Sequence, residues 1–455
     1  MKRLVSLLLL TSFSVLAFAQ NQPVVKLTLE ESVKIAFKNN VTLQKQKNTV
    51  TLAKADYLRT IGLFLPDLNA GTSLNYNEGT DLFDQADTAG NLQIFSVNSK
   101  SRSYSWRLSS NLNLFNGFSD YLSLEKSSND LESAKLTFSR SAQSTLLDVS
   151  SKYLDVLLKQ ELLGISKENL VYADEQLKKI SEMTRLGSRP LIDLYNQQYQ
   201  KANAELEVIN AEKSLDISKS NLVAALALDP TKEYEIIKPD LALLSSKTDV
   251  QPLDVLMSSA LKSRPDYQAS KLGITSRKSQ LWQAYSNYLP SLDASWSWNA
   301  NARSNSNISI PKQLSDNRSW SVGLTLSIPI FTRFQNEYQL QSANVSLKNA
   351  ELDLSDLERT IQISVKQAFL DYVSYKKKLE ASETQAKAAT TLKETAQERY
   401  NVGAGSYVEL ADAIRQYTSA ASGLAQTKYQ YEFQKKVLDF YIGDLKIEDY
   451  VSLEN

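Results

Sequence analysis

The chain is close to two copies of one pattern. An offset of 224 residues carries Leu65-Pro66-Asp67-Leu68 onto Leu289-Pro290-Ser291-Leu292, Ala36-Phe37-Lys38 onto Ala260-Leu261-Lys262, and Asn75 onto Asn299. Further along, an offset of 216 carries Gly187 onto Gly403, Leu154-Asp155 onto Leu370-Asp371, Leu194 onto Leu410 and Leu222 onto Leu438. The difference between the offsets falls in the loop between these landmarks. Two copies of about 200 residues therefore cover nearly the whole chain, and such a duplication suits pseudo-symmetry about a ring or tube better than a catalytic cleft.

The first residues read as an export signal. Lys2 and Arg3 open it, Leu4 to Leu16 form a short apolar stretch, and Ala17-Phe18-Ala19 is a small-x-small cleavage site, so residues 1–19 are expected to be removed. The apolar stretch is shorter than the roughly 20 residues of a spanning helix. The chain has no cysteine and no histidine. Lipidation at a cysteine, disulfides, the usual zinc ligands and the Ser-His-Asp arrangement are thereby excluded. Lys+Arg and Asp+Glu balance at 51 each, which gives no basic surface for nucleic acid. No later apolar run approaches spanning length, so a membrane location requires strands.

Each copy, 20–230 and 252–444, begins with two helices, read in the first copy from Leu29 to Asn39-Asn40 and from Val41 to Leu63. Pro66 and Pro290 end the helical pattern, and period two follows. Strands are expected near 68–77, 102–114, 292–301 and 319–330. One face carries Leu68, Ala70, Thr72, Leu74 and Tyr76; Tyr104, Trp106, Leu108, Leu112 and Leu114; Leu292, Ala294, Trp296, Trp298 and Ala300; and Trp320, Val322, Leu324, Leu326, Ile328 and Ile330. Asn77 to Ser101 and Asn301 to Arg318 read as polar loops. The strands have about the length of tilted membrane strands, and their aromatic rings suit a lipid interface. Ordinary hairpins on a soluble core would alternate in the same way.

Long helices come next. Phe118 to Arg185 contains no proline and one glycine, and Phe331 to Val402 contains neither. About 70 helical residues reach roughly 100 Å, beyond the span of most globular domains. The stretches break at matching segments around Gly187 and around Gly403 and Gly405, and return as helices from Leu191 and Tyr407. Each copy thus contains a helical hairpin with a tight tip far from the strands. Residues 231–251 link the copies, with a short strand near Glu233 to Ile237, and 445–455 form a tail.

This plan resembles the TolC family of outer-membrane efflux proteins over essentially the whole mature chain. The resemblance is carried by the duplicated Leu-Pro, by Leu114-Phe115-Asn116-Gly117, and by Tyr400-Asn401-Val402-Gly403 with Glu409-Leu410-Ala411-Asp412-Ala413. It implies an α+β membrane protein: long α-helical hairpins forming a periplasmic tunnel plus a transmembrane β-barrel, four strands per chain and twelve in a homotrimer. It also implies an outer-membrane location, a periplasmic adaptor (membrane fusion protein), an inner-membrane pump, no cofactor and no enzymatic activity. Glu409 and Asp412 match the family's pore constriction, and their spacing of three places them on one helix face. Asp193 and Tyr400 match a link that closes the tips. Gly405 stands where the family's best-studied pattern has an arginine, which leaves Arg189 on the neighbouring tip as the candidate replacement.

Two other readings follow from the residues. A periplasmic coiled-coil adaptor or scaffold would use the helices without a barrel, yet it would also carry a compact Gly-rich β domain, and the chain has only 13 glycines. An enzyme could pair carboxylates such as Asp193 and Glu409 for acid-base work, but nothing in the sequence builds a pocket around them.

Overall fold

The computed structural model describes residues 25–86, 92–238 and 251–447. The expected signal segment, most of the link and the last part of the tail lie outside them. The elements in order are β1 (Val25–Leu27), α1 (Leu29–Asn39), α2 (Val41–Gly62), β2 (Asn69–Ala86), β3 (Leu92–Asn116), α3 (Ser119–Arg185) and α4 (Leu191–Ala225). They continue with β4 (Tyr234–Ile236), α5 (Leu253–Ser263), α6 (Pro265–Ser286), β5 (Ser291–Arg303), α7 (Ile310–Asp316), β6 (Arg318–Ser327), α8 (Gln335–Asn401) and α9 (Tyr407–Ile442). Lengths recur: α1 and α5 have 11 residues each, α2 and α6 have 22, and α3 and α8 have 67.

Local chemistry sets these boundaries. Thr28 accepts a hydrogen bond from the Glu31 amide at 3.2 Å while Glu31 accepts from the Thr28 amide at 3.0 Å, a capping box that starts α1. Asn40 ends α1 and caps α2 by accepting from the Leu43 amide at 3.0 Å. The turns from strand into α3 and α8 use left-handed backbone at Gly117-Phe118 and at Arg333-Phe334. At Gly117 a side chain would collide with the Ser286 carbonyl oxygen, which lies 2.8 Å from where a Cβ would stand.

β2, β3, β5 and β6 form one antiparallel sheet in that order, with β2 and β6 at its edges. The register places Leu74 beside Tyr104, Trp106 beside Ala300, Leu108 beside Trp298, and Trp298 beside Trp320, so the apolar alternates of all four strands share one face. Leu74, Trp106, Trp320, Val322, Leu324 and Leu326 are exposed there. The opposite face is polar: the Ser73 and Ser105 hydroxyls meet at 2.6 Å, those of Ser297 and Ser321 at 3.0 Å, and Arg107 donates to Asn299 at 3.1 Å.

The strands depart from the expected bounds in three ways. Most of the expected loop from Asn77 to Ser101 is strand: β2 and β3 continue as a ribbon beyond the part of β3 that pairs with β5, held by pairs such as Thr80 donating to Asn98 at 2.6 Å. This part of the ribbon mixes polar and apolar residues, with Phe83 in register with Phe95, and is held by main-chain bonds that need no strict alternation. Secondly, the register slips between Asn113 and Phe115, so Phe115 takes the place opposite Leu292 that simple alternation assigns to Leu114. Finally, β6 stops at Ser327, ahead of Pro329, and the second loop contains α7. There Gln313 both accepts from the Arg303 amide at 2.9 Å and donates to its carbonyl at 3.0 Å, covering the end of β5 that runs past its pairing with β6.

The long helices pack side by side. α3 lies against α2, α4, α6 and α9, while α8 lies against α5, α6 and α9. A core around Leu146, Val149, Tyr153 and Val156 of α3 receives α1 and the parallel pair β1–β4; the Tyr153 hydroxyl donates to the Leu27 carbonyl at 3.1 Å. A second core joins Leu256 and Ala260 of α5 to Ile361 and Val365 of α8 and Leu438 of α9. The end of α9 is held by two arginines, Arg264 buried and Arg140 partly buried. Arg140 donates to the Phe440 carbonyl at 2.9 Å and Arg264 to the Tyr441 carbonyl at 3.4 Å. Both face Asp266, Arg264 at 2.5 Å and Arg140 at 3.6 Å. Burial, aided by the charge of Arg264, lowers the Arg140 pKa to about 10. Among the described residues no helix is long and apolar enough to cross a membrane.

Candidate gate at the hairpin tips

The helices α3 and α8 both end in a glycine of left-handed backbone, Gly187 at φ +75° and Gly403 at φ +78°. In each tip the helix end closes on itself: the Ser188 amide donates to the Met183 carbonyl at 2.9 Å, and the Ala404 amide to the Arg399 carbonyl at 2.8 Å. The two tips pack together through Ile180, Tyr400 and Leu410, flanked by Met183, Leu194, Tyr407 and Ile414.

Arg189 joins the tips. Its guanidinium carbon lies 4.6 Å from the centre of the Tyr400 ring, its Nη2 donates to the Tyr400 carbonyl at 3.4 Å, and its Nη1 is 3.7 Å from Asp193. A second bond across the tips runs from Lys179 Nζ to Asn401 Oδ1 at 2.7 Å. The structure therefore brings Arg189, Asp193 and Tyr400 into one contact, although Arg189 and not the Tyr400 hydroxyl meets the carboxylate. Burial raises the Tyr400 phenol above its usual value, with the Arg189 charge opposing and the Asp193 charge adding; burial and the neighbouring Tyr400 push Tyr407 up to about 12.

Glu409 and Asp412 sit in the first two turns of α9, outside that contact. The Ser406 hydroxyl caps this helix by accepting from the Glu409 amide at 3.2 Å. Glu409 lies 3.6 Å from Arg399, and both are exposed. Asp412 pairs with Arg415 and accepts from Gln416 Nε2 at 2.5 Å; hydrogen bonds from Arg415 and then Gln416 hold its carboxyl below the usual carboxylate range. Asp412 and Arg415 line a groove of about 1110 Å³ between α9 and the hairpin of α3 and α4, shared with Tyr172, Gln176, Gln197 and Tyr199. Gly405 carries no cation; a Cβ there would stand 3.1 Å from Arg399 Cβ, so the turn is packed against the arginine stem.

The sequence reading missed Arg399 and Arg415. The spacing of three between Asp412 and Arg415 was a usable signal. Arg399 and Glu409 meet only because the turn at Gly403 folds α8 back on α9. No group of His, Cys, Asp or Glu among the described residues has the arrangement of a metal site.

Residues 33–228 and 256–444 match the family described as outer membrane efflux protein. Among known relatives, outer membrane protein TolC of Escherichia coli strain K12 is 23% identical over 333 residues, spanning 70% of this chain and 65% of that protein, just under two thirds of its length. Outer membrane protein TolC of Vibrio cholerae is 21% identical over 388 residues, spanning 85% of this chain and 83% of that protein. Among solved structures, the CmeC outer membrane channel of Campylobacter jejuni superposes with a TM-score of 0.75 at 16% identity, covering 92% of this chain and 86% of that one.

Proposed function

This chain belongs to the outer membrane efflux protein family, and on that premise we propose that it acts as a homotrimeric outer-membrane channel, exporting substrates that an inner-membrane pump delivers through a periplasmic adaptor. The four-stranded sheets of three copies would close a twelve-stranded barrel in the lipid, and the helices would continue it as a periplasmic tunnel. Drugs, metal ions and secreted proteins are the cargo classes to test. The channel performs no covalent chemistry; the pump supplies the energy.

One observation carries the assembly. Within the chain α6 lies between α3 and α8, whereas α2, its counterpart in length and position, packs on α3 and leaves Leu52 and Leu58 exposed. On the far side of the chain α8 leaves Tyr338, Val345 and Leu352 exposed, seven residues apart. In the proposed assembly the α2 of one copy packs on the α8 of the next, the head-to-tail kind of contact from which rings are built. The sheet has the same property, since β2 and β6 are open edges and lipid tolerates none.

The tips form the gate in this reading. Gly187, Gly403 and Gly405 make the turns, the Arg189–Asp193–Tyr400 contact holds the tips closed, and Glu409 and Asp412 line the constriction. Two measurements test it. Protein extracted from purified outer membrane should have a detergent-corrected mass of three chains and should conduct in planar bilayers. A soluble monomer or dimer would remove the barrel and leave a periplasmic scaffold. Replacing Glu409 and Asp412 by alanine should move the reversal potential in a salt gradient away from cations; an unchanged potential removes the pair from the pore.

A further inference from the structure

We infer that the channel's constriction is charge-balanced, with Arg399 and Arg415 as residues that set its selectivity, so that it passes anionic as well as cationic cargo. The inference rests on the channel reading above. Two carboxylates per chain would make six in a trimer and a strongly cation-attracting ring. In this structure each carboxylate has its own guanidinium: Arg399 lies 3.6 Å from Glu409, and Arg415 pairs with Asp412. Six positive charges therefore accompany the six negative ones, and the ring carries no net charge.

The arginines are held in place by the fold. Arg399 belongs to the last turn of α8, its Nη2 donates to the Ala404 carbonyl at 3.3 Å, and its stem packs against Gly405. Arg415 is one turn beyond Asp412 on α9 and lines the same groove. Both side chains are more than half exposed, which makes the pairs weak as sources of stability. Their effect on a permeating ion does not depend on that strength. A fixed cation within a Debye length of about 8–10 Å offsets the field of its neighbour whether or not the pair is closed.

The absence of cysteine from the chain allows a direct measurement. A single thiol introduced by Val408→Cys, an exposed position beside Glu409, is reacted in the purified trimer with a cationic trimethylammonium-ethyl methanethiosulfonate and with an anionic sulfonatoethyl one. The ratio of the two rates reports the local potential. With both arginines present it should lie near the ratio for a free thiol. Arg399→Gln with Arg415→Gln should raise the cation-to-anion ratio about tenfold, and Glu409→Gln with Asp412→Asn should lower it about tenfold. A ratio that moves less than twofold when the arginines are removed would overturn the inference. The same variants in planar bilayers separate the two readings. A tenfold thiol shift without any conductance would keep the charge balance and remove the channel. Conductance whose potassium-to-chloride permeability ratio ignores the arginines would keep the channel and remove the balance.

Discussion

The guanidinium of Arg189 lies over the ring of Tyr400, 4.6 Å from its centre, and so ties the turn of one hairpin to the last turn of the other. The same group reaches Asp193 at 3.7 Å in a site where both charged side chains are mostly buried. A cation on an aromatic face contributes about 1 kcal/mol and a partly buried ion pair about 1 more. Arg189→Ala should therefore shift the tips toward the open state by about 2 kcal/mol, roughly 30-fold in the ratio of open to closed. Arg189→Lys keeps the charge but loses the planar contact, and should fall between the two. Single-channel recordings at fixed voltage measure the ratio; an unaltered open fraction in Arg189→Ala would detach this contact from gating.

Much of the architecture was readable because its signals are long. Some 67 residues without proline admit few structures besides a helix, and strict alternation from Leu292 to Ala300 admits few besides a strand. The sheet register, which sets Trp106 beside Ala300 and Trp298 beside Trp320, follows from keeping those apolar alternates on one face. The ribbon of residues 77–86 and 92–101 reads as loop in the sequence because its polar and apolar residues do not alternate strictly, and main-chain bonds leave no mark in the side-chain pattern. The tip was only half legible for a different reason. Asp412 and Arg415 are neighbours along one helix, whereas Arg399 and Glu409 meet across a turn whose geometry depends on Gly403 and on the close packing of Gly405. The Arg140–Asp266–Arg264 cluster joins α3, the start of α6 and the end of α9, and no local spacing announces it.

That cluster gives a pH-dependent prediction. Burial disfavours the Asp266 charge, but hydrogen bonds from Arg264 and the charges of Arg140 and Arg264 outweigh it and hold the carboxyl below its usual 3.8. A carboxyl lowered in the folded state contributes stability that is fully present above its unfolded value and lost as pH falls through its folded value. Asp266→Asn leaves the buried Arg264 and the partly buried Arg140 facing each other at the end of α9, and should cost about 3 kcal/mol at neutral pH. Unfolding midpoints of wild type and variant, measured in urea, should converge as pH drops below about 4. A gap of constant size down to pH 2 would show that Asp266 acts by packing and not by charge.

Glycines at two turns separate backbone strain from crowding. Gly187 has a positive φ and open space around it, so Gly187→Ala should cost about 1 kcal/mol. Gly117 has a positive φ as well, but its new methyl would meet the Ser286 carbonyl oxygen at 2.8 Å and Leu289 Cβ at 2.9 Å. Gly117→Ala should cost about 2–4 kcal/mol and separate the end of β3 from the end of α6. Thermal unfolding of the two variants in detergent gives the comparison. Equal losses would mean that the close approach at Gly117 relaxes without consequence.

The two faces of the sheet make opposite predictions for the same charge. Leu324 lies near the middle of β6, paired with Ala294 on the apolar face, whereas Ser319 pairs with Asn299 on the polar face. If the apolar face meets lipid, Leu324→Arg should destabilise the assembled protein by about 2–4 kcal/mol, the range for arginine at the bilayer midplane. Ser319→Arg would face the water-filled interior and should change stability by less than about 0.5 kcal/mol. Yield of trimer in the outer-membrane fraction and urea midpoints in lipid vesicles both measure the difference. The contrast matters more than either value, because β6 is an edge strand in the single chain and both side chains are exposed there. On a soluble edge strand neither arginine would meet an apolar medium, and the two variants would behave alike. A loss at Leu324 without one at Ser319 therefore requires the apolar face to be covered by an apolar medium, which residence of the wild type in the outer-membrane fraction identifies as lipid, and equal tolerance would leave that face in water.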